Sequence, residues 1–174
     1  MLQPLLRRLS LKKADSGVPT GILPLSALHT AVVLIDVEDP EFDACKNLMM
    51  QEFRKRGIRP EVFFFDFRRL DKGERLITSV TNTILRKDLN WYGMPSREKL
   101  DWARNLQPDL ILSLLPEASF PMEVLVRNSP ARFKVGRQQL PGNVFDMVVL
   151  DAENEQLSQM KAFRAILDLL ETVR

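Results

Sequence analysis

The chain of 174 residues has one cysteine, Cys45, and one histidine, His29. A lone cysteine excludes an internal disulfide and suits a reducing compartment. Together these two residues are too few for a zinc site of Cys and His ligands. His29 precedes the first apolar run, a poor position for the base of a nucleophilic triad. The seven glycines, at 17, 21, 57, 73, 93, 136 and 142, never take the G-x-G-x-x-G or Walker spacing, which argues against the usual dinucleotide and P-loop chemistry. No run approaches the roughly 20 apolar residues of a membrane span. A charged-then-apolar leader with a small-residue cleavage site is also missing, so a cytoplasmic location is expected. The net charge of +2 and a sequence pI of about 8.8 set up no strong global field for a nucleic-acid partner.

What is present is order. Ala31-Val32-Val33-Leu34-Ile35, Val62-Phe63-Phe64-Phe65, Leu110 to Leu115 and Val148-Val149-Leu150 are apolar runs of strand length. Unbroken apolar runs are the pattern of strands covered on both faces. Helical spacing follows two of the runs, with Phe42, Cys45, Leu48, Met49 and Phe53 after the first and Leu157, Met160, Phe163, Leu167 and Leu170 after the last. Asp39 as N-cap, Pro40 at the first helical position and Gly57 past the end frame the first of these. Cys45 lies on its apolar stripe and reads as a buried structural thiol. Strands are expected at about 30–37, 61–66, 109–115, 132–135 and 145–150, with helices opening at Ser96 and at Ser119. Residues 67–75 read as a charged loop. Within 76–89 the β-branched content around Thr81–Leu85 favours a strand over a helix.

Strands alternating with helices imply an α/β, Rossmann-like fold: a mostly parallel, doubly wound, three-layer sheet of five or six strands in the order 3-2-1-4-5-6. The expected organisation is an N-terminal segment over 1–29 and one α/β domain over 30–174. Residues 1–13 combine leucines at 2, 5, 6 and 9 with basic residues at 7, 8, 12 and 13. As a helix this segment is amphipathic and cationic, suited to an acidic partner or a membrane surface, and its composition also resembles a transit peptide.

Three groups of residues are candidates for a site. Ligands of open α/β sheets bind beyond the carboxyl ends of the strands. The acids there are Asp36, Glu38, Asp39, Asp66 and Asp151, available as a general base, hard-cation ligands or ribose contacts. In the expected strand order Asp36 and Asp66 are neighbours. The second group is Asn90-Trp91-Tyr92-Gly93 with Ser96, an aromatic pair beside a helix N-terminus that could stack a base or sugar and hold an anion. The third is Arg132 with Lys134-Val135-Gly136-Arg137, a basic strand end that could meet phosphate. Clusters at 54–59 and 68–75 (Arg68, Arg69, Lys72, Arg75) leave RNA binding open, with no recognition motif behind it.

The stretches Ala31–Asp36, Lys87–Gly93, Asp109–Leu114, Phe120–Glu123 and Ala131–Gly136 resemble a family of uncharacterised bacterial proteins known as a domain of unknown function. That resemblance implies a Rossmann-like fold and carries no activity. Residues 109–136 also resemble the N-terminal half of heptosyltransferase-like glycosyltransferases, although Val37-Glu38-Asp39 stands where those enzymes carry a Gly-Asp pair. Because a second domain holds the nucleotide sugar in such enzymes, this resemblance implies a half-domain active only with a partner. The leading expectation is a non-catalytic module binding a protein partner or a small ligand. The alternatives are that half-domain and an RNA- or assembly-associated protein. No motif names a cofactor.

Overall fold

The computed structural model describes residues 1–69, 71 and 77–174. In chain order the elements are α1 (Leu2–Lys13), β1 (Thr30–Asp36), α2 (Phe42–Lys55), β2 (Arg59–Asp66), β3 (Thr83–Leu85), α3 (Arg97–Asn105), β4 (Leu110–Ser113), α4 (Phe120–Asn128), β5 (Phe133–Gly136), β6 (Met147–Val148) and α5 (Gln159–Thr172). The six strands form one sheet in the order β3-β2-β1-β4-β5-β6, and every pair is parallel. This is the expected Rossmann-like, doubly wound arrangement. No helix among the described residues is long and apolar enough to cross a membrane.

The apolar runs are continuous because each strand feeds two cores. Val33, Ile35, Phe64, Leu110 and Leu112 point to one face, where α2 and α5 close over them with Cys45, Met49, Phe53, Phe163 and Ile166. Phe53 and Phe163 meet edge-to-face at 5.5 Å, joining those two helices. Val32, Leu34, Phe63, Phe65 and Ile111 point to the other face, under Ala103 of α3 and Met122, Leu125 and Val126 of α4. Burying one such side chain stabilises the fold by roughly 1.5–3 kcal/mol, so a polar residue on either face of β1 would be costly. The thiol of Cys45 is fully buried, as its place on the stripe implies.

Several boundaries depart from the expected ones. Asp39 does not cap α2, which begins at Phe42 after Glu41 with no side-chain cap. The Asp39 carboxylate instead accepts the backbone N–H of Glu41 (2.8 Å) and, from a distant helix, that of Gln159 (2.9 Å). Strand β2 starts two residues early, because Arg59 donates its N–H to the His29 carbonyl. Strand β4 is shorter than expected, although Leu114 still donates to the Leu34 carbonyl before Pro116, which has no N–H to offer, turns the chain. The sixth strand shrinks to two residues: it lies at the sheet edge with one neighbour, and Leu150 is exposed. Leu157 precedes α5 rather than opening its stripe. The strand expected around Thr81–Leu85 is present as β3, while Lys72, Arg75 and Leu76 lie outside the described residues.

Candidate functional site

Neighbours of β1 run in opposite sequence directions, β2 to one side and β4 to the other. Crossovers therefore leave to opposite faces at the β1/β4 boundary, and the loops that follow these strands diverge into a crevice, the usual ligand position of open α/β sheets. Here the crevice is a cavity of about 330 Å³ between Asp36 and Glu38 at the end of β1, Phe65 and Phe67 at the end of β2, and Pro116 to Ser119 before α4. A second cavity, of about 370 Å³, shares Asp36, Glu38 and Pro116 with the first and extends to Arg137 and the start of α5.

Asp36 stands between the two cavities, and its position is fixed by α5. The Gln159 side chain accepts the Asp36 N–H (2.7 Å) and donates to the Asp36 carbonyl (2.8 Å). The Asp36 carboxylate accepts the Glu38 N–H at 2.9 Å, which bends the chain out of the strand. Burial raises the Asp36 carboxyl above its ordinary pKa. The Glu38 N–H opposes that shift, while the charges of Glu38, Asp39 and Asp66 add to it.

Asp66 is adjacent, as the strand order implied, but its chemistry is committed. Its side chain is fully buried and accepts the Arg68 guanidinium through both oxygens at 2.8 Å. That guanidinium holds the carboxyl below its ordinary pKa despite the burial. The two acids thus shift in opposite directions, and Asp36 is the one that lines both cavities.

Arg137, read from the sequence as part of a basic strand end that could meet phosphate, is turned inward with a side chain 1 % exposed. Its Nη1 donates to the Leu114 carbonyl (2.9 Å), and its Nη2 to both Asp151 oxygens (3.0 and 2.7 Å) and to the Leu157 carbonyl (2.8 Å). Asp151, expected as a free strand-end acid, is its ion-pair partner. Arg137 therefore ties the end of β4 to the segment leading into α5. Its Nε is buried and finds no hydrogen-bond partner among the described residues, and the residue lines the larger cavity.

The remaining candidates are not brought to this crevice. Lys134 is buried under α4, where its Nζ donates to the carbonyls of Val126 (2.7 Å) and Arg127 (3.5 Å) and so closes the end of that helix. Burial lowers its pKa to about 8. Arg132 and His29 gather around Asp109 at the amino ends of β1, β4 and β5, the opposite end of the strands from the crevice. Asn90 spends its Oδ1 on the N–H groups of Tyr92 (3.1 Å) and Met94 (2.9 Å), and Ser96 caps α3 through the Lys99 N–H. Trp91 projects outward, 66 % exposed, with its ring edge-to-face against Tyr92 at 5.3 Å. The turn that Asn90 builds holds Arg7 of α1, whose Nε donates to the Tyr92 carbonyl (2.6 Å). Gln159 was the residue that sequence reasoning missed, because it looks like an ordinary first-turn helix residue until α5 is placed against β1. Among the described residues no cluster of His, Cys, Asp and Glu could hold a metal ion.

No curated protein and no solved structure matches the chain. A family model does match, over residues 7–167, and its description is a family of unknown function, DUF6913. The match takes in every strand and crosses both walls of the crevice, so the protein belongs to the DUF6913 family.

Proposed function

We propose that this protein is a Rossmann-like binding module whose ligand is a small polyhydroxylated molecule seated in the crevice between β1 and β4. The observation that carries the reading is the pair of acceptors left over there. Asp36 and Glu38 bring carboxylate groups to both cavities, while Arg137, which lines the larger one, is spent on Asp151 and on the carbonyls of Leu114 and Leu157. Hydroxyls donate to such acceptors, so a polyol is matched there, whereas an anion would be repelled by the acids. Binding rather than turnover fits the commitments of the other charged groups. Asp66 is paired to Arg68, Arg137 to Asp151, and Lys134 to the end of α4.

Native mass spectrometry of protein purified without refolding tests the proposal, followed by thermal shift with the small molecules recovered or with a panel of sugars and polyols. A hydroxyl-rich ligand that raises the melting temperature of the wild type, and not of Asp36→Asn or Glu38→Gln, is the expected result. A ligand that binds all three proteins equally places the site elsewhere. Turnover of a nucleotide sugar that is lost in Asp36→Ala would replace binding with catalysis.

A further inference from the structure

Helix α1 lies on the outside of the sheet-and-helix sandwich, against α4, and none of its residues is buried. Its docked side is Leu6, Arg7, Ser10, Leu11 and Ala14, all half-covered. Spacing of three and four places these on one face. Arg7 is the pin: besides its bond to the Tyr92 carbonyl, its guanidinium stands 5.1 Å from the centre of the Phe120 ring. Gly93 makes room for it, since a Cβ at that position would come within 3.1 Å of Arg7 Nη2.

The other side of the helix points to solvent and is apolar. Leu2, Leu5 and Leu9 are 65, 52 and 44 % exposed, and the spacing of three and four sets them in one stripe. Arg8, Lys12 and Lys13 are exposed beside it. The first fourteen residues hold four basic side chains and no acid, although the whole chain carries only +2. Trp91, the most exposed aromatic, stands on the loop that holds Arg7. A leucine stripe flanked by lysine and arginine, with an exposed indole on the adjoining loop, is the composition of a helix that lies in the plane of a membrane interface.

We infer that α1 is an attachment surface for a membrane carrying anionic lipid, with Leu2, Leu5 and Leu9 entering the headgroup boundary and Arg8, Lys12 and Lys13 meeting lipid phosphates. A second copy of the chain is the less favourable occupant. Stacking two such helices would bring like charges together, and three leucines fall far short of the roughly 1,200 Å² that a stable interface buries. An acidic nucleic acid would use the basic residues and leave the leucines in water.

The test is flotation of the full chain with vesicles of phosphatidylcholine alone and with vesicles that also contain phosphatidylserine. Binding is expected only to the second kind, falling with added salt, with a blue shift of tryptophan emission that is absent in Trp91→Phe. Replacing both lysines (Lys12→Gln with Lys13→Gln) should weaken binding about twenty-five-fold, from roughly fivefold per cation. Leu5→Ser with Leu9→Ser should weaken it about tenfold or more. All these positions are exposed, so unchanged far-ultraviolet circular dichroism and melting temperature show that the variants fold. Equal binding to both vesicle types, or binding unaffected by the leucine substitutions, overturns the inference. A leucine-dependent dimer seen by light scattering without vesicle binding also overturns it, in favour of a second copy.

Discussion

Replacing Arg137 with methionine probes the strut on which the crevice rests. Methionine keeps most of the stem and removes the charge together with every N–H. The change takes the guanidinium from the carbonyls of Leu114 and Leu157 and leaves the Asp151 carboxylate with the Leu157 N–H (3.2 Å), all now served by a side chain 1 % exposed. Breaking a buried charge pair in this way costs about 3–5 kcal/mol. The Asp151 side chain is 23 % exposed, so water can reach it and the lower end, about 3 kcal/mol, is expected. For a domain of this size that corresponds to a fall of about 10 °C in melting temperature. Urea unfolding followed by circular dichroism should show a lower midpoint at an unchanged slope. Asp151→Asn alone should cost less, and the double variant should cost little more than Arg137→Met, because both changes remove one interaction. A loss under about 1 kcal/mol for Arg137→Met, or two losses that simply add, would refute the view that Arg137 and Asp151 form a single strut.

Three further outcomes follow from the packing. Burial and the nearby Asp39 charge push the Cys45 thiol up to about 12. It should therefore ignore a disulfide reagent at pH 8 in the folded protein and react fully in denaturant, and rapid reaction without denaturant would contradict its burial. A methyl group at Gly136 would stand 2.4 Å from the Phe145 ring, so Gly136→Ala should cost about 1–3 kcal/mol, and adding Phe145→Leu should recover part of it in the same urea assay. With its pKa near 8, Lys134 releases its proton in the folded chain before it does so in the unfolded one. The unfolded state binds more protons between that value and the ordinary lysine range, so wild-type stability relative to Lys134→Met should rise with pH across the window. A flat difference across it would mean that Lys134 titrates as an ordinary lysine.

Most of the scaffold was legible from local pattern. Ala31–Ile35 and Val62–Phe65 could only be strands with both faces covered, and the helical stripe between them required a crossover. Ser96 and Ser119 cap α3 and α4 where the sequence placed them. Gly57 adopts the left-handed turn, at φ +72°, that ends α2. The site was less legible, because charge near a strand end does not reveal what that charge will meet. Asp36 and Asp66 looked equivalent, and the difference lies in Arg68, which turns back onto one of them.

The sequence by itself therefore determined the layers, the strand order and the adjacency of those two acids, since periodicity and burial are properties of each segment. Only the tertiary structure decided which charges remain for a ligand. Asp39 left its expected cap for Gln159, Arg137 turned inward to Asp151, and Lys134 closed a helix instead of meeting phosphate. Each of these partners lies many residues away in the chain. A buried charge takes the partner that the folded chain brings to it, because leaving it unpaired costs several kcal/mol, and no local pattern encodes which partner arrives.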